Sequence, residues 1–578
     1  MAAVMGPSGA GKTTLFNVCA ARIQSSDLAM TKGAVYANGV KVERTSDFSR
    51  WGTVAPQDDV VLPALTVFES LDYAARLRGS KEGRVEVLIT TFELDERRDL
   101  AAGRLSGGQR KRLSIAMELV HAPSVILVDE PTSGLDSRVA FQVVKTLGDL
   151  ARKTKTNVAA TIHQPSVEAF LCFDRLTMLT AGRVAFRGSV PKACDIYRET
   201  VKGSLFAAAA GDDEEDEESS FLVRNPADCA IDRASQVDAA LKAWEQLQSE
   251  DGDFRSAEEA RLARYEALAR SEDVVAEGST AAALRKPSKV VAFRVLFQRT
   301  LVQSFRLQGT FQMKSAVMTS LVYGLVFFQQ QNTQARVNLK LAILFLSLLM
   351  NGLVPGIVMV LFVPLERPTL RREAWNGVWK LSEYLAARTA AAAIVHFVAV
   401  TFYAVVIYYM VGFLGDFGDF LWPLAMLGCI TQQLGLCLGS VFAAAVSAVP
   451  AFLPINIGSV IFAGFFFQKR FLTKDAQKVT YPFWFLSWYR YVFALLVTNE
   501  FEHGNFDACD VTVGDECPYV GFADFLGQRH VPRKVVAADV LKVDMPFAKR
   551  WHWLILLAFF FGMYAITFLM ISKITLKP

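Results

Sequence analysis

The chain has 578 residues, 52% of them hydrophobic, with a mean hydropathy of +0.27 and a formal net charge of +4. That length exceeds what one hydrophobic core organises, so two or three domains are expected, and so small a net charge gives no argument for a nucleic-acid partner. The apolar content is unevenly spread: to about residue 290 the sequence reads as a charged α/β protein, and beyond it long runs rich in phenylalanine place a membrane class on the second half only.

The first motif follows a short apolar stretch. Gly6-Pro7-Ser8-Gly9-Ala10-Gly11-Lys12-Thr13-Thr14 has the form GxxxxGK[ST]. Its glycines let successive backbone N–H groups turn inward around phosphates, where a Cβ would obstruct them. Lys12 supplies a point charge to the β- and γ-phosphates, and the Thr13 hydroxyl is a ligand for Mg²⁺. From Thr14 the chain reads as the first turns of a helix, whose N-terminus also favours an anion. The expected nucleotide-binding set is Gly6, Ser8, Gly9, Gly11, Lys12, Thr13 and Thr14.

Next come a short strand-like run and Pro56-Gln57-Asp58-Asp59, where the two carboxylates taken alone read as a solvated turn. Leu105-Ser106-Gly107-Gly108-Gln109 precedes a segment of helical spacing, making a second anion-accepting helix start. Val125-Ile126-Leu127-Val128 reads as a fully buried parallel strand that ends in Asp129, placed to hold Mg²⁺, and Glu130, placed to orient or deprotonate water. Ser133-Gly134-Leu135-Asp136 follows, then a further strand at 157–162 that ends at His163.

This order of motifs resembles the ATP-binding cassette (ABC) proteins, in which LSGGQ is nearly private to the family. The resemblance implies an α/β P-loop ATPase with ATP and Mg²⁺. In it Glu130, His163 and Gln57 are the catalytic residues, and Thr13, Gln57 and Asp129 hold the metal. Ser106, Gly107, Gly108 and Gln109 would contact the ATP held by a partner's P-loop, with Asp136 in the loop between the two sites, so a dimer is implied. The family also places two or three strands and an adenine-stacking aromatic before the P-loop. Only Met1–Met5 precede it here, so the cassette is expected to be N-terminally truncated.

The cassette is assigned to residues 1–200 and an acidic linker with cytosolic helices to 201–290. The linker contains Asp212-Asp213-Glu214-Glu215-Asp216-Glu217-Glu218, a block of like charges that repels itself, and a mixed-charge helical pattern at 238–270. The segment 293–306 has the spacing of an amphipathic helix lying at the membrane surface, with Arg and Gln opposite its apolar residues.

The remainder, 291–578, is expected to be an all-α, six-helix transmembrane domain. Its spans fall at about 311–329, 339–363, 385–413, 421–447, 450–467 and 551–572, with an extracytoplasmic loop at about 469–550. Arg367, Arg371, Arg372 and Lys380 after the second span, and Lys573 and Lys577 after the last, put both termini in the cytosol. The apolar run 489–497 is too short to cross. Glu500 reads either as lining a pathway or as hydrated at the outer interface. Cys509 and Cys517 are expected to form a disulfide in the outer loop; the remaining cysteines read as free thiols.

The cassette-first order, the stretch 366–377, Asn225-Pro226-Ala227-Asp228, Tyr408–Gly412 and Thr498-Asn499-Glu500-Phe501 are similar to the G subfamily of ABC transporters, the White, pigment, sterol and multidrug type of half-transporter. That resemblance implies ATP-driven export or flipping of a hydrophobic, lipid-like small molecule by a homodimer, or by a heterodimer with another half-transporter. It implies contact with membrane lipid and no nucleic acid, in the plasma membrane or an intracellular vesicle membrane. The alternative is a non-hydrolysing partner subunit of a heterodimer.

Overall fold

The computed structural model describes residues 1–23, 35–37, 40–49, 51–193, 287–329, 337–442, 444–463, 465, 480, 482–501 and 549–575. The acidic run, Asn225–Asp228, the pattern at 238–270, Cys194, Cys229, most of the expected outer loop and the Cys509–Cys517 pair lie outside them. The chain packs as two compact units, Met1–Val295 with Arg372–Lys380, and Leu296–Arg371 with Leu381–Lys577.

The strands of the first unit are β1 Ala2–Met5, β2 Tyr36–Ala37, β3 Val40–Lys41, β4 Gly52–Ala55, β5 Val125–Val128, β6 Asn157–Thr161, β7 Arg175–Thr180 and β8 Arg183–Ser189. Apolar runs such as Val125-Ile126-Leu127-Val128 carry no polar face, so they are stable only where both faces are covered, as in a parallel sheet. The main sheet has the order β4-β5-β6-β1-β7-β8, while β2 and β3 form a separate antiparallel pair. The neighbours from β4 to β7 run parallel, and β8 returns antiparallel to β7. Although only four residues long, β1 is paired on both sides, Ala2 facing Ala159 of β6 and Arg175 of β7.

The helix Ser137–Thr154 buries Val143, Val144, Leu147 and Leu150, a stripe at helical spacing, against the sheet core. Burying each such aliphatic side chain contributes about 1.5–3 kcal/mol. Because β1, β4, β5 and β6 point the same way, their C-terminal ends deliver the P-loop, Gln57, Asp129-Glu130 and His163 to one edge of the sheet, where ligands sit in open α/β folds.

The second unit is helical. Leu339–Trp375, Leu381–Val411, Phe417–Val441 and Arg550–Lys573 are long and apolar enough to cross a bilayer. At the first and fifth expected spans stand Thr310–Val326 and Ala445–Ile461, each of 17 residues, at the short end of the spanning range. The helix Val337–Trp375 runs for 39 residues through Pro355, Pro364 and Pro368. At 1.5 Å per residue that is about 58 Å, nearly twice the hydrocarbon thickness. The sequence suggested a span followed by a separate segment; instead the helix continues through Glu366 and Arg371, and from Arg372 its residues pack in the first unit. The apolar run at 489–497 lies within the helix Trp488–Phe501, whose 14 residues are nearly all buried.

Two sequence readings are corrected here. Helix Lys289–Ser304 forms as expected, but Arg299, Thr300, Gln303 and Ser304 are buried and Phe293 and Phe305 are exposed. The buried stripe is apolar at Ala292, Val295 and Leu296 and turns polar from Arg299 onward, where it meets polar partners: Arg388 donates to Ser304 Oγ at 3.0 Å and to Glu366 Oε1 at 3.1 Å. Glu500, read as pathway-lining or hydrated, is neither of these: it is buried, 2.6 Å from Lys340 Nζ, and its other oxygen accepts from the Leu414 and Gly415 amides. A buried carboxylate of this kind requires a paired cation and satisfied lone pairs.

Small residues let these helices approach closely, as in membrane bundles generally. A Cβ on Gly435 would lie 2.3 Å from the Gly356 carbonyl oxygen. Gly435→Leu is therefore expected to destabilise the second unit by about 1–3 kcal/mol through overpacking, read as a lower unfolding midpoint of the purified full chain in detergent. The described thiols, Cys19, Cys172, Cys429 and Cys437, are free.

Candidate functional site

The loop after β1 has the conformation its glycines predict. Gly9 and Gly11 take φ of +81° and +96°, and Gly6 passes so close to β7 that a Cβ there would lie 2.2 Å from the Leu179 carbonyl oxygen. Lys12, at the start of helix Lys12–Cys19, is buried and donates to the carbonyls of Gly6 at 2.8 Å and Pro7 at 3.1 Å. Burial lowers its ammonium pKa from the usual lysine range, and the carboxylates of Glu130 and Asp129 oppose that shift. The result is a cation held over a concave loop whose geometry suits phosphate.

Across the loop stands the end of β5. Asp129 Oδ1 accepts from Thr13 Oγ1 at 3.3 Å and from Thr161 Oγ1 at 2.5 Å. Thr161, the last residue of β6 and fully buried, also accepts from the Glu130 amide at 2.8 Å. One hydroxyl thus ties together both acidic residues after β5. Glu130 has φ +46°, a left-handed conformation uncommon outside glycine and concentrated at functional sites. Its carboxylate accepts from Gln57 Nε2 at 2.7 Å. The structure therefore brings Lys12, Thr13, Gln57, Asp129 and Glu130 into one cluster.

His163 follows β6 at the same edge, with its side chain exposed. Among the described hydrogen bonds, Ser106, Gln109 and Asp136 are engaged elsewhere. Ser106 and Gln109 form a reciprocal capping box on helix Gly107–Leu119, and Asp136 caps the next helix through the Val139 amide at 2.9 Å. They sit at exposed helix starts, so they are not part of this chain's own cluster. Asp58 is exposed as a turn residue would be, whereas Asp59 pairs with buried Lys111 at 2.9 Å.

A second polar centre lies within the same unit. Glu118, inaccessible to solvent, accepts through Oε2 from Thr53 at 2.6 Å, Arg78 at 2.7 Å and Asn376 at 3.0 Å, and Arg372 Nε stands 3.4 Å from Oε1. Arg22 donates to Asn376 Oδ1 at 2.6 Å and stacks over Trp375. Burial alone would raise the Glu118 carboxyl, but the guanidiniums of Arg78 and Arg372, with hydrogen bonds from Thr53 and Arg78, outweigh it and hold the pKa at about 2. Beside it His121 is pushed down to about 3 by burial and by Arg78, with Arg84 adding to the shift against the pull of Glu118. Motif reading missed Thr161, Lys111 and this centre. The available signal for the centre was a lone carboxylate inside the apolar run Ile115-Ala116-Met117-Glu118-Leu119-Val120.

Residues 1–133 match the ABC transporter family model and residues 291–501 that of the ABC-2 type transporter. ABC transporter G family member 21 of Arabidopsis thaliana is 29% identical over 81% of this chain and 71% of its own length. G family member 8 of the same plant is 26% identical over 89% and 83%. A solved dimeric ATP-binding cassette in a post-hydrolysis state with ADP and Pi aligns at 25% identity over 33% of this chain and 85% of that one, with a TM-score of 0.29. With an ABC transporter ATPase domain first and an ABC-2 type transporter membrane domain after it, this chain has an ATPase coupled to transport across the membrane and the domain order of the ABC transporter G family members that it resembles.

Proposed function

We propose that this half-transporter works as a dimer, with itself or with a related half-transporter, to export or flip a hydrophobic or amphipathic, lipid-like molecule. The observation that carries the reading is the single cluster of Lys12, Thr13, Asp129, Glu130 and Gln57 at the strand ends. Lys12 and the loop amides hold the ATP phosphates. Thr13 Oγ1 and Asp129 Oδ1 are hard oxygen donors 3.3 Å apart, which fits Mg²⁺, with Gln57 as the third residue toward it. When bound, that ion neutralises phosphate charge.

Glu130 accepts the proton of the attacking water, its carboxylate steadied by the hydrogen bond that Oε2 accepts from Gln57 Nε2. Thr161 keeps the carboxylate's backbone in place, and His163 faces the γ-phosphate. Ser106–Gly108 of each subunit cap the ATP of the other, so closure needs two cassettes. The residues from Arg372 onward, seated on Glu118, carry the movement of the cassette into the long helix. Both termini are cytosolic, because the cassette draws on cytosolic ATP. The intact Glu130, His163 and Ser106–Gln109 favour this reading over that of a non-hydrolysing subunit.

The test is reconstitution of the full chain in liposomes containing a fluorescent phospholipid whose outer-leaflet pool is quenched chemically. ATP with Mg²⁺ is expected to change the quenchable fraction in wild type and not in Lys12→Ala. ATP hydrolysis without lipid movement would exclude phospholipid as the substrate class, and hydrolysis that stays linear at dilutions that separate subunits would exclude the dimer.

A further inference from the structure

Lys111 stands in the second turn of helix Gly107–Leu119, between Arg110 and Arg112. Arg112 reaches Glu93 at the surface, at 2.9 Å. Lys111 is instead 3% exposed, and a buried ammonium requires compensation. Its two partners lie in one loop: Asp59 Oδ1 at 2.9 Å and the Gln57 carbonyl oxygen at 2.5 Å. The side chain of the same Gln57 is bonded to Glu130. Three contacts therefore run from the helix that begins at Ser106-Gly107-Gly108 to the carboxylate at the end of β5.

We propose that Lys111 is a positioning residue for hydrolysis: it ties the Gln57–Asp59 loop to the helix start, so that a shift of that helix start decides whether Gln57 holds Glu130 or releases it. Lys111 touches neither Glu130 nor the phosphate loop, and it acts through Gln57. The inference rests on the hydrolytic role given to Glu130 above. Its consequence is that a helix start engaged with the partner's nucleotide sets the competence of this chain's own site. A break in the tie lowers turnover without weakening ATP binding. A buried cation that only filled space would show no such separation.

The experiment measures ATP hydrolysis by the reconstituted full chain for wild type, Lys111→Met, Lys111→Arg, Asp59→Asn and Glu130→Gln, with photo-labelling by an azido-ATP analogue as the check on folding and binding. Expected are at least a tenfold fall in kcat for Lys111→Met with KM for ATP within about twofold, a smaller fall for Asp59→Asn, and partial recovery in Lys111→Arg. The double variant Lys111→Met/Asp59→Asn is expected to be no worse than Lys111→Met alone, because contacting residues do not act additively. Wild-type kcat in Asp59→Asn together with Lys111→Met or Lys111→Arg overturns the proposal, as does a rise in KM at unchanged kcat. If Lys111→Met does not fold, the partly buried Asp59→Asn and the Lys111→Arg variant decide between the same outcomes. An inactive Glu130→Gln beside fully active Lys111 and Asp59 variants sinks this inference alone, whereas an active Glu130→Gln sinks the hydrolytic reading beneath it.

Discussion

Glu130→Gln is expected to lower vanadate-sensitive ATP hydrolysis by about 10²–10⁴-fold, the usual contribution of a positioned general base, while ATP binding persists. Glutamine keeps an oxygen that accepts from Gln57 Nε2, and the backbone amide bonded to Thr161 is untouched. The variant therefore removes basicity and leaves the geometry. Two measurements on the same membranes check it: phosphate release, and retention of labelled ATP after rapid washing. Retention with no release is the expected pattern. Unchanged release would remove Glu130 from the role of base and leave it as a support for Gln57.

The second large effect concerns stability. Glu118→Ala leaves Arg78 and Arg372 facing each other in a dry site, and breaking a buried pair in this way costs about 3–5 kcal/mol. The Glu118→Gln variant, which still accepts hydrogen bonds, is expected to lose less. The same centre sets the acid sensitivity of the chain. The imidazole of His121, pushed from 6.5 down to about 3, takes up its proton more readily in the unfolded chain, so stability falls as the pH drops from about 6.5 toward 3. Glu118, held at about 2 against 4.5 unfolded, contributes stability that is complete above pH 4.5 and lost as the pH falls toward 2. Thermal unfolding of the full chain from pH 7.5 to 4.5 is expected to show a falling midpoint that His121→Gln flattens. An identical slope in the variant would mean that other groups control the transition.

Much of the ATPase was legible because its chemistry sits in contiguous words. Gly6–Thr14, Leu105–Gln109 and Val125–Glu130 each join a strand or helix boundary to the residues that work there, so a reading of periodicity also places them at the correct ends. Thr161 could not be seen in this way. Its partners, Asp129 and Glu130, lie 32 and 31 residues away, and only the register of β6 beside β5 brings them together. The polar stripe at 299–304 was misread for a related reason. Arg and Gln on a helix normally face solvent, and nothing local announces that Arg388 and Glu366 wait on the other side. Glu500 carried the same ambiguity until Lys340, 160 residues earlier, supplied its counter-charge.

The residues that complete the first unit have an uneven birth order. Glu118 and Asn376 are separated by 258 positions. At a ribosome's pace of about 5–20 residues per second, the carboxylate waits on the order of ten to fifty seconds for its last partners. Those partners lie at the far end of the long helix that contains Pro355 and Pro364, Arg372 in its last turn and Asn376 just after it. A nascent cassette therefore carries an incompletely compensated buried acid until the far end of that helix has been made. A chain in which the far end of this helix does not reach Glu118 is therefore expected to leave that acid without Arg372 and Asn376, and the first unit correspondingly less stable.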